Sequence, residues 1–97
     1  MYEAYRIGEL LFAIKTATDG TGGGSAYQAV GYLVHAGQLQ TVALKDGSPF
    51  VSVGPAPWQA RDKLLYRLDA HLGHRAVPER DFDPAGLAVR GTWRLPV

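Results

Sequence analysis

The chain has 97 residues, 46% of them hydrophobic and 20% charged, with a net charge of +1 and no cysteine. Those values suit one ordinary globular domain, 1–97, and exclude a disordered tail, a disulfide scaffold, a thiolate zinc site and a cysteine nucleophile. The near-neutral balance by itself implies neither a nucleic acid nor a membrane. No apolar run reaches the roughly 20 residues that a membrane span needs. Glu3 and Glu9 break up the basic-then-apolar start of a signal peptide. The expected location is the cytoplasm, with no membrane partner.

In residues 2–17 two patterns compete. Ala4, Ile7, Leu11 and Ile14 fit a helical stripe, whereas Leu10, Phe12, Ile14 and Thr16 share one face of a strand. Gly8 weighs against a helix, so 10–18 reads as a strand and the first few residues stay open. The glycine-rich run 20–25 reads as a flexible connection. Residues 26–35, rich in Tyr and Val, suit a strand, and Ala36-Gly37 a turn. Residues 39–45 and 50–53 read as two further strands joined by a hairpin at Asp46-Gly47. Pro49 places the second of these at an edge or a strand start.

The strongest pattern lies in 58–72. Trp58, Arg61, Leu65, Leu68 and Leu72 recur at gaps of three and four, with Leu64 beside them, and so form one helical stripe. Pro55 and Pro57 suit the entrance of that helix and Gly73 its exit. Residues 76–86 have loop composition. In 87–95, Leu87, Val89, Gly91, Trp93 and Leu95 alternate with polar neighbours, which predicts a half-buried strand whose apolar face meets the helix. The expected fold is therefore α+β: an antiparallel sheet of four to five strands, one main helix at about 57–73 on one face, and a final strand at about 87–95.

Candidate chemistry is sparse. The glycine-rich run lacks the Lys-Ser/Thr of a triphosphate loop, and Ser25 stands where a dinucleotide motif needs glycine. Asp69, His71 and His74 could share a metal, but Asp69 and His71, two apart on a helix, point to different sides. Glu79, Asp81 and Asp83 alternate in the loop, where Asp83-Pro84-Ala85-Gly86 reads better as a turn than as an acid–base or cation site. Ser25, Ser48 and Ser52 lack the context of a nucleophile elbow. His35, alone in an apolar strand, reads as a packed residue. No catalytic residue, metal ligand or cofactor is assigned, and the chain reads as a non-enzyme.

The remaining candidates are binding residues. Arg90 and Arg94 come from the wet face of the last strand, Lys63 and Arg67 lie four apart on the helix, and Tyr27 and Tyr32 belong to one strand. Together they could hold single-stranded nucleic acid or DNA, arginines on phosphates and tyrosines under bases. A protein partner fits better, because a one-helix sheet leaves aromatic surface uncovered. The expected function is thus a small interaction or regulatory module that binds a protein, a homodimer included. Nucleic-acid binding and a small metal-dependent enzyme built on the histidines and acidic loop are the alternatives.

Overall fold

The computed structural model describes residues 2–18 and 26–96; the glycine-rich run, with Ser25, lies outside them. The strands are β1 (Tyr2–Ile7), β2 (Leu10–Thr18), β3 (Tyr27–His35), β4 (Gln38–Ala43), β5 (Val51–Gly54), β6 (Val77–Pro78) and β7 (Val89–Arg94), with one helix, α1 (Pro57–Leu72). They form a seven-stranded sheet ordered β6-β1-β2-β3-β4-β7, in which β5 also pairs with β3. The α+β class and the single main helix are as expected, and the sheet is larger. Both the open N-terminal residues and the loop after the helix supply strands. Gly8, at φ 62, turns β1 into β2, and Ala36 and Gly37, both at positive φ, turn β3 into β4.

The expected Asp46-Gly47 hairpin forms only as a tight turn, with Ala43 bridging Pro49 antiparallel, and β4 and β5 do not pair with each other. β4 pairs with Tyr32–His35 and β5 with Tyr27–Val30, both antiparallel to β3 and on the same side of it. The two strands therefore run in one direction, and 44–50 is an excursion between them. Asp46 closes that excursion, its carboxylate accepting from the Ser48 N–H at 2.9 Å and the Ser48 hydroxyl at 2.6 Å. These bonds hold the Asp46 carboxyl below its usual pKa. The loop's return places Phe50 in the core, fully buried.

Alternation sorts the sheet residues onto two sides. Tyr5, Ile7, Phe12, Ile14, Ala29, Leu33 and Val42 pack with Phe50 against Ala60, Leu64, Leu65 and Leu68 of α1. Gly31 lies under Leu64. Pro57 stands at the first helical position, and Gly73, at φ 72, donates its N–H to the Asp69 carbonyl at 2.8 Å. Trp58, however, is 56% exposed and is not part of the stripe. The core-facing line runs through Ala60, because β5 approaches the first turn so closely that Gly54 and the Ala60 backbone are in contact.

The last strand departs from its expected pattern twice. It runs parallel to β4, because 79–88 carries the chain from beside β1 to the opposite edge of the sheet. It also bulges: Leu39 to Val42 is three residues on β4, but their partners Val89 and Trp93 are four apart. Gly91, at φ 80, takes up the extra residue. The bulge sends Val89 to the side opposite Trp93 and Leu95. Trp93 does reach the helix-side core, its ring 5.7 Å from that of Phe12, and Leu95 is buried there.

Candidate protein-binding face

The side of the sheet away from α1 has two halves. In one, Ala4, Ala13 and Leu39 are buried, and a 3-10 turn at Pro84–Gly86, anchored by the buried Pro84, lies against β1. Small alanines there leave room for the crossing segment. The other half holds Tyr2 and Lys15, then Val30 and Tyr32, then Val51 and Val53, brought side by side by the β1–β2, β2–β3 and β3–β5 registers. No element among the described residues packs over it. Tyr2, Val30, Tyr32 and Val51 are half-buried and Val53 is 43% exposed. The Tyr2 and Tyr32 rings lie 6.0 Å apart, and the Lys15 ammonium sits 5.7 Å from the Tyr2 ring centre. Burial and then the neighbouring Tyr2 push the Tyr32 hydroxyl above its usual pKa, so it stays neutral.

No strand contributes a carboxylate to this side. Of its cations, Arg6 is paired with Glu79 at 3.3 Å, and Arg94 folds back over the 45–47 turn to donate to the Lys45 carbonyl at 3.5 Å. Lys15 has no carboxylate within 4.0 Å among the described residues.

The six candidate binding residues are not assembled into one surface. Tyr27 and Tyr32 are five apart on a strand and so lie on opposite sides, Tyr27 against the helix-side core. That parity was legible in the sequence. Arg90 and Lys63 are exposed on different elements, β7 and α1. Arg67 is built into the fold: its guanidinium donates to the Val51 carbonyl at 2.6 Å and the Ser52 hydroxyl at 3.1 Å, and lies 4.5 Å from the Phe50 ring centre. It thereby satisfies Ser52, a buried polar residue, and covers a core aromatic. Arg67→Ala is expected to cost about 2 kcal/mol, since a charged donor and a cation–π contact are lost together. The urea midpoint should fall at an unchanged slope; an unaltered midpoint would show that the clamp contributes nothing.

The polar clusters disperse in the same way. His71 meets the Phe50 ring edge-on at 5.8 Å, while His74 packs over Gly8. Asp69 accepts from the Ala76 N–H at 3.0 Å, and burial pushes its carboxyl above the usual pKa. Asp83 accepts from the Ala85 N–H at 3.0 Å, as a turn residue should. His35 is exposed at a strand end, unlike the packed residue expected. Among the described residues no three His, Asp or Glu side chains gather as metal ligands would.

The outer side of α1 is the surface that sequence reasoning missed. Tyr66 is 78% exposed. With Asp62, Leu65, Asp69, Ala70, Arg75 and Ala76 it lines an open groove of about 660 Å³ between the helix and the segment leading to β6. Asp62, Tyr66 and Ala70 follow Trp58 at steps of four, so the signal was present as a second helical line. The leucines drew Trp58 into the wrong one. Comparison with protein-family models, curated proteins and solved structures found no match to this chain.

Proposed function

We propose that this chain is a small non-catalytic interaction module that holds a protein partner on the open half of its sheet, working in the cytoplasm. One observation supports the reading: two tyrosines and three valines lie side by side where a second layer would normally cover an antiparallel sheet. Apolar sheet surface bordered by aromatic rings is the composition of a protein interface core. A single lysine on that face, within a chain of net charge +1, is a weak electrostatic basis for a nucleic acid. Consistent with a non-membrane role, no helix among the described residues is long and apolar enough to cross a bilayer.

The test is capture from native-host extract with the wild-type chain and with Val53→Glu. A protein retained by the first and lost by the second, after nuclease treatment and in about 0.5 M salt, is the expected result. Identical recoveries from both chains, or captured nucleic acid released by salt, would remove the reading.

A further inference from the structure

Resting on that reading, we infer that the partner of the open sheet face is the outer helix face of a second copy of this chain, joined head to tail. The two surfaces complement each other. The sheet face is apolar and aromatic, carries Lys15, and has no strand carboxylate. The helix face carries two exposed rings, Trp58 and Tyr66, eight residues and so about 12 Å apart along α1. Asp62, one oxygen of which accepts from Arg61 of its own helix at 2.9 Å, and Asp69 stand beside them and, with Arg75, border the groove next to Tyr66. Large exposed aromatics are the side chains that most often dominate binding energy when buried at an interface. The second oxygen of Asp62 would give Lys15 the carboxylate that it lacks among the described residues of its own chain, beside the one that Arg61 holds.

Geometry settles the symmetry. α1 covers one side of the sheet and the binding half lies on the other, so the two surfaces face away from each other. A copy bound through one keeps its other surface free, which makes the contact heterologous and self-propagating. A two-fold dimer through the sheet face alone would instead bring the lysine-bearing face against itself and leave Trp58 and Tyr66 bare.

Sedimentation velocity decides between them, using wild type, a helix-face variant (Trp58→Ala with Tyr66→Lys) and a sheet-face variant (Lys15→Glu with Val53→Glu). All four positions are solvent-accessible, and unchanged circular dichroism melts would confirm folding. Wild type should show species growing beyond dimer as concentration rises, and each variant alone should stay monomeric. An equimolar mixture should form a one-to-one dimer and stop there, because only one intact pair of faces remains. An assembling helix-face variant beside a monomeric sheet-face variant would mean a two-fold sheet dimer and overturn the inference. A wild type that stays monomeric to about 1 mM, the weak end of specific association, would also overturn it. In that case the extract capture still decides the proposed function on its own.

Discussion

Phe12→Ala should lower the unfolding free energy by about 3–5 kcal/mol, the usual cost of deleting a buried aromatic ring. Phe12 is wholly buried, pairs across the sheet with Tyr5 on one side and Leu33 on the other, and tilts against Trp93. It therefore ties three central strands to the last one. Small domains have roughly 5–15 kcal/mol in total, so the variant should be partly unfolded at body temperature. Urea titration followed by circular dichroism measures the loss. Trp93 should also shift to redder fluorescence in the folded variant, since it loses one wall of its pocket. A loss below about 1 kcal/mol, within the range of an ordinary surface change, would mean that Phe12 is not at the centre of this core.

Gly54→Ala is the second large effect, and its sign runs against habit. Adding a methyl group to a glycine at negative φ usually stabilises by about 0.4–1 kcal/mol, because the unfolded chain loses freedom. At Gly54 the new Cβ would stand 2.9 Å from the Ala60 backbone nitrogen and 3.2 Å from the Gln59 carbonyl carbon. Backbone atoms cannot swing aside, so β5 and the first turn of α1 must separate. The expected cost is about 2–3 kcal/mol, the upper range for overpacking. Gly31 is the control within the same experiment. It is buried where Gly54 is half-buried, but its Cβ would meet Leu64, Ile14 and Val42 at 3.6, 3.7 and 3.8 Å, ordinary contact distances. Gly31→Ala should therefore be neutral or slightly stabilising. Equal melting shifts for the two would show that β5 and the first turn of α1 accommodate the methyl group without cost.

Neither glycine announces which it is. Each is one residue in an apolar stretch, and what differs is the element packed above it. The same gap separates expectation from structure elsewhere. Trp58 fell at a helical spacing from Arg61 and Leu65, yet Ala60 faces the sheet, because only a small side chain fits against β5. Asp46-Gly47 has the composition of a hairpin, and the local turn does form. Beyond the antiparallel Ala43–Pro49 bridge the flanking strands do not pair with each other, because β3 had room for both β4 and β5 along one edge. Alternation in 87–95 predicted a strand and the inward aim of Trp93 and Leu95. It could not show that an extra residue at Gly91 would turn Val89 away from them.

The amino-acid order by itself determined the elements governed by local physics. These are the helix with its proline entrance and glycine exit, the strands at 10–18 and 26–35, the turn at Ala36-Gly37 and the α+β class. In each, a residue's preference is set by its own backbone or by neighbours within a turn. Only the tertiary structure decided the register, the strand order, the parallel return of β7 and the division of the sheet into a covered half and an open one. Those depend on contacts between residues far apart in the chain, whose energy comes from burial and fit and leaves no short-range trace in the sequence.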